Sequence, residues 1–379
     1  MKKIPKTSRY LSQLTLMLIL SSVLLLPVAC KKHFDQQVLK EFRQVNLVAN
    51  NNEYDPSHVD PKLLNAWGLA FSANGIAWIS AQAGHVSTIY DKEGNTLLAP
   101  VNIPSPRHAT GGNPTGIVFN NTDAAFTLGN KEKASFLFVG VDGVLSGWNR
   151  AAGSNALLIK NNSATSVYTG LAIAKSNGND FLYAANFRTG KIDVWNASFE
   201  PVSMSFSDPD VPSGYAPFNI QAIEDRLYVA YAKVASDGDE EKGSGKGFVD
   251  IFSTNGKLVK RFASMGSLNA PWGLAKAPAS FFADTDDGGI ENLIENGPRD
   301  RTQPAILVGN FGDGRINAYD MNGKFLGQLK TENKIISIDK LWAISFPPST
   351  ATNIDPHRLY FTAGPDNESH GLFGYVIKQ

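Results

Sequence analysis

A chain of 379 residues in which 42% are apolar is long enough to bury a substantial core, and its 35 basic side chains balance 35 acidic ones. That balance excludes a nucleic-acid-binding surface, which needs clustered Lys and Arg. The single cysteine excludes a disulfide within one molecule and a thiolate metal cluster.

Taken in chain order, the first 29 residues read as an export address. Lys2, Lys3, Lys6 and Arg9 form a positive segment, residues 14–26 an apolar one too short to span a bilayer comfortably, and Ala29 precedes Cys30. The pattern resembles a bacterial lipoprotein signal peptide, which implies that Cys30 becomes a diacylated N-terminus. Lys31 in the next position favours the outer membrane or cell surface over the inner membrane. Loss of residues 1–29 removes four positive charges and no negative ones, leaving 31 basic against 35 acidic side chains. Residues 30–42 read as a polar tether between lipid and domain.

From residue 43 to 379 the chain repeats. Six apolar stretches carry a small residue at their centre: Trp67-Gly68-Leu69, Thr115-Gly116-Ile117, Thr169-Gly170-Leu171, Phe218-Asn219-Ile220, Trp272-Gly273-Leu274 and Trp342-Ala343-Ile344. A second series, His85, Gly143, Gly190, Gly247, Gly314 and His370, stands five residues before an aromatic each time. Six strand-like units at spacings of 47 to 70 residues predict an all-β, six-bladed propeller of four-stranded antiparallel blades. The small residues are expected to face a crowded axial channel. Asn255-Gly256 and Asn322-Gly323 predict hairpins between third and fourth strands. The apolar segment 44–48 belongs to no blade of its own and is expected to complete the last one, sealing the ring.

Two stretches break the period. Residues 236–247 interrupt blade four between its second and third strands. Residues 281–303 enlarge blade five and carry an acidic run, 284–291, which reads as a solvated insertion rather than a calcium loop, because its glycine and glutamate are out of place.

The connections into first strands and from second to third strands open on one face. There the sequence places Asn65, Asn113, Asn269 and Asp339, together with Gln82, Asn186, Tyr231 and Asn310; Arg188 and Arg315 follow two of these asparagines. Amides, one carboxylate and two guanidiniums around a funnel can hold a polar ligand, a carboxylate, a phosphate or calcium. Each asparagine also has a plain structural reading as a turn former. No glutamate is placed on this ring, and no nucleophile elbow, phosphate loop or metal-binding helix occurs.

The stretches 65–70, 113–118 and 270–275 look like first strands of NHL-repeat propellers. Together with the run from Leu307 to Ile316 and Leu341-Trp342-Ala343, they resemble an uncharacterised family of secreted bacterial propellers, some of which end in an exosortase sorting tail. The likeness runs from about Val45 to Val376 and implies the fold and export, and it supplies no catalytic residues; no cofactor is expected, with calcium the alternative. The functional expectation is a membrane-anchored extracytoplasmic module that binds a protein, glycan or small molecule through Asn65, Asn113, Asn186, Arg188, Asn310, Arg315 and Asp339. The alternative is an enzyme resembling calcium-dependent lactonases, with Asn113, Asn186 and Asn310 as ligands and Asp339 as base.

Overall fold

The computed structural model describes Met1, residues 36–283 and residues 303–379. The signal segment, Cys30 and the acidic run at 284–291 lie outside the described residues. No helix among the described residues is long and apolar enough to cross a membrane.

The described chain is all-β and forms six antiparallel blades. Their innermost strands are Ala66–Phe71, Pro114–Phe119, Tyr168–Ser176, Tyr215–Ile223, Pro271–Ala277 and Leu341–Ser345. Blade five shows the plan: Pro271–Ala277 pairs Ala305–Asn310, which pairs Ile316–Tyr319, which pairs Phe325–Gln328. Blade three keeps its fourth strand only as the bridge Trp195–Pro201. The Asn-Gly hairpins fall where expected, with Gly256 at φ 86° and Gly323 at φ 95°, a region that glycine enters without strain.

The ring closes through the N-terminal segment. Phe42–Ala49 pairs antiparallel with Leu372–Lys378, from Phe42–Lys378 to Ala49–Leu372, with one register shift between Asn46 and Val48. The last blade therefore takes its outer strand from the other end of the chain, and no unpaired edge is left at the seam. Leu39 and Phe42 are buried, and Phe42 packs on Phe281 at 5.0 Å. Phe281 and Phe282, at the start of the 281–303 insertion, are likewise in the core rather than in solvent.

Between blades the core is continuous. Tyr183, Ile192 and Val194 of blade three pack with Ile220, Leu227 and Phe252 of blade four. Burying side chains of this size contributes about 1.5–3 kcal/mol each.

The small residues of the first strands do not face the channel. A Cβ on Gly68 would lie 2.2 Å from the Thr115 carbonyl, one on Gly116 2.5 Å from the Leu171 nitrogen, and one on Gly170 2.1 Å from Asn219 Oδ1. They are small because adjacent innermost strands abut there. Each first strand also slips register at this place, as at Tyr168/Gly170 and Pro271/Gly273. The resulting bulge turns the preceding residue onto the axis.

Candidate functional site

Four of those preceding residues are aromatic, and they fill the axis. Trp342, fully buried, stacks on Trp67 at 3.5 Å and on Phe311 at 4.0 Å, with Phe218 at 5.8 Å and Trp272 edge-on at 5.9 Å. Blades two and three contribute Thr115 and Thr169 instead. The Thr115 hydroxyl donates to the Tyr168 carbonyl at 2.7 Å, and the Trp272 indole to the Thr169 carbonyl at 3.0 Å. The crowded axial channel expected to be lined by small residues is thus an aromatic plug, and a ligand on this face meets a floor rather than a tunnel.

Most of the asparagines on this face hold the plug and its turns. Asn65 takes left-handed backbone (φ 44°), accepts from the Trp342 indole at 2.9 Å, and donates to Gln82 at 3.1 Å and Glu368 at 3.0 Å. Asn186 accepts from the Val167 and Thr189 backbone and donates to Ser166 and Asp193. Asn310, fully buried, accepts from the Asn269 backbone and donates to the Ser267 carbonyl and to Asp313. Asn113 accepts from Gln82 at 3.3 Å. Exposed Asp339 accepts the Asp366 backbone N–H at 3.0 Å, and exposed Arg315 lies 3.8 Å from Asp313.

Arg188 is different. It is exposed, has no hydrogen-bond or ion-pair partner among the described residues, and lines a cleft of about 550 Å³ between blades three and four. Phe187, Val167, Ala216 and Val234, which belong to or pack against the plug, form the apolar part of that cleft; Asp237 and Asp239 line it as well. Apolar lining with a few convergent charges is the usual make-up of a small-molecule site.

Beside the cleft, the 236–247 insertion folds over the mouth. Its Glu240–Glu241 strand pairs with Lys233 and Val234, bringing Glu240 and Lys242 over the plug. The Lys242 and Lys340 amines each sit 5.0 Å from the centroid of the Phe311 ring. Lys242 lies 3.6 Å from Glu240, and Glu368 is held by Asn65. Glutamates, absent from the sequence expectation for this ring, are therefore its central acids.

The environment perturbs all four groups. Burial pushes Glu240 up to about 7 and raises Glu368. Burial, then the neighbouring Lys242 amine, lowers Lys340 against the pull of Glu368 and Asp339. Burial opposes the Lys242 charge, but the hydrogen bond with Lys340 and the Glu240 and Glu368 charges carry its pKa up. Titratable groups driven apart in this way cluster at working sites.

Sequence position could have signalled Lys340, which takes the left-handed pre-strand place of Asn65 (φ 52° against 44°). Glu240 and Lys242 come from the 236–247 insertion and Glu368 from the 366–370 loop, neither of which has a repeat counterpart. Glu368 ends a run of three left-handed residues, Asp366, Asn367 and Glu368. Beside it His370 accepts from the Asn50 and Asn51 amides at 3.0 Å each, tying this loop to the ring closure. Among the described residues no three His, Cys, Asp or Glu side chains are grouped to hold a metal.

A second titratable group lies in blade four. Arg261 bridges Asp250 and Asp208. Burial pushes Asp250 up to about 7, and its Oδ2 has no partner.

No protein-family model matches the chain. An uncharacterized protein of Acanthamoeba polyphaga mimivirus is 32% identical over 350 residues, 88% of this chain and 80% of its own length. A second uncharacterized mimivirus protein is 31% identical over 351 residues, 88% and 86% of the two chains. Among solved structures, a Bacteroides thetaiotaomicron protein of unknown function superposes with a TM-score of 0.50 at 10% identity, over 83% of this chain and 70% of that one, a likeness of fold alone.

Proposed function

This chain belongs to the propeller family of the two mimivirus proteins, and we propose that it works as a ligand-binding module displayed outside the cytoplasm on an N-terminal lipid. The observation that carries the binding role is the cleft beside the plug: apolar lining, an unpartnered Arg188, and Asp237 and Asp239 on the same cleft. Such a site suits a small ligand with an apolar body and an ionic or strongly polar group, presented by a glycan, a peptide or a metabolite. Lipid anchoring rests on the Cys30 signal and on the likeness to secreted bacterial propellers.

The calcium-dependent hydrolase reading draws less support. Of its three asparagine ligands, Asn186 and Asn310 have turned their amide oxygens onto backbone N–H groups and Asn113 accepts from Gln82, while Asp339 already caps a backbone N–H.

A thermal-shift screen of small sugars, amino acids, carboxylates and Ca²⁺ on the domain from residue 36 tests the binding role. The expected result is stabilisation by an organic class that Arg188→Glu abolishes; stabilisation by Ca²⁺ alone favours the hydrolase, and a hit indifferent to Arg188→Glu removes the cleft. Labelling with radioactive palmitate tests the anchor: incorporation is expected in the full chain and not in Cys30→Ala.

A further inference from the structure

We propose that Lys340 is a carbonyl-reactive amine, condensing with an aldehyde or ketone ligand at the mouth to form an imine. The proposal rests on reading this face as the working one and names a substrate class for it.

Lys340 is 8% exposed, yet no carboxylate lies within ion-pair distance of its amine among the described residues. Its backbone takes the left-handed region at φ 52°, which a side chain such as lysine adopts only under strain. The strain places the amine on the Phe311 ring face, already shared with Lys242. Two ammonium groups on one ring face repel, and Lys242 alone has a close carboxylate, Glu240 at 3.6 Å. Of the two amines, Lys340 therefore gives up its proton the more readily, in accord with the lowered pKa of Lys340 and the raised pKa of Lys242. A desolvated lysine beside a second cation is a recognised way to make a nucleophilic amine at neutral pH. Lys242, 40% exposed, is the outer of the pair, and a ligand reaches Lys340 past it.

The chemistry balances without an added oxidant or reductant. The Lys340 nitrogen lone pair adds to the carbonyl carbon while the oxygen takes a proton, giving a carbinolamine. Loss of its hydroxyl as water leaves the imine. Glu368, held on this face by Asn65 and shifted by burial toward its protonated form, is the acid assigned to supply the proton to the departing hydroxyl.

The test traps the imine. The full chain is incubated with propanal or pyruvate and cyanoborohydride, which reduces an imine to a stable secondary amine, and modified lysines are located by peptide mapping. Lys340 is expected to react at least tenfold faster than exposed Lys257 at pH 7, with a rate profile displaced to lower pH. Lys242→Met removes the neighbouring charge and should slow Lys340 at pH 7 several-fold by moving that profile back up, while the melting temperature and Lys257 labelling stay unchanged. A buried lysine with only a packing role would show no such shift. Equal labelling of Lys340 and Lys257, or a profile unmoved by Lys242→Met, overturns the proposal. If the thermal-shift screen still yields Arg188-dependent hits in that case, the binding reading stands without the amine chemistry.

Discussion

Trp342 of the last blade stacks on Trp67 of the first at 3.5 Å with an interplanar angle of 16°, so the ring closes at its axis as well as at its rim. The two indoles are not equivalent. Trp342 donates to Asn65 at 2.9 Å, whereas the Trp67 indole N–H is buried without a partner. An unmade buried hydrogen bond costs about 1–3 kcal/mol, and a made one contributes about 1 kcal/mol net. Trp342→Phe should therefore destabilise more than Trp67→Phe, which sheds the orphan donor and comes out near neutral. Trp342→Ala should cost about 3–5 kcal/mol. Urea unfolding of the three variants checks the order.

The seam between neighbouring innermost strands gives a second expectation. Gly170→Ala drives a methyl to 2.1 Å from Asn219 Oδ1, displacing an amide that donates to the Trp272 carbonyl. The cost should exceed about 2 kcal/mol. Gly178→Ala, at φ 82° in open space, should cost about 1 kcal/mol from backbone strain alone. Equal losses, measured by chemical denaturation, would contradict the inter-blade account.

The repeat makes the blades legible in the amino-acid sequence, because a small residue recurs wherever two inner strands abut and an aromatic recurs in each third strand, five residues after a Gly or His at or just before its start. The closing segment is legible for a topological reason: 44–48 is apolar and has no blade. The plug is not legible, since side-chain direction follows strict alternation only in an unbroken strand, and all six first strands bulge where Trp67, Trp272 and Trp342 change sides. The charged mouth is hidden for another reason. Glu240, Lys242, Lys340 and Glu368 come from three connections more than a hundred residues apart at the extremes, and no local pattern joins them.

Because Phe42–Ala49 is the outer strand of the last blade, truncation should have a sharp limit. A chain starting at residue 36 should keep its cooperative melt, while one starting at residue 50 strips the edge of Leu372–Lys378 and should lose it or aggregate. Circular dichroism and light scattering distinguish the two.

Stability should fall as pH rises toward neutrality. Glu240 and Asp250 hold their protons in the native protein up to about 7, because both are buried. Between the ordinary carboxyl range and about 7 the unfolded chain has already released those protons. The native state therefore binds more of them, and each pH unit in that window lowers the unfolding free energy. Glu240→Gln and Asp250→Asn should each flatten the decline between about pH 4.5 and 7, by on the order of 1–3 kcal/mol. Urea midpoints across that range check it; a slope that neither substitution changes would contradict the burial of these protons.

The most direct measurement is hydrogen exchange of the domain with and without the strongest Arg188-dependent hit from the screen. The account predicts slowed exchange at 186–190, 214–216, 234–242 and 366–370, the loops around the plug and its cleft. Protection confined to the Asn-Gly hairpins at 255–256 and 322–323, with the mouth loops unchanged, would contradict it.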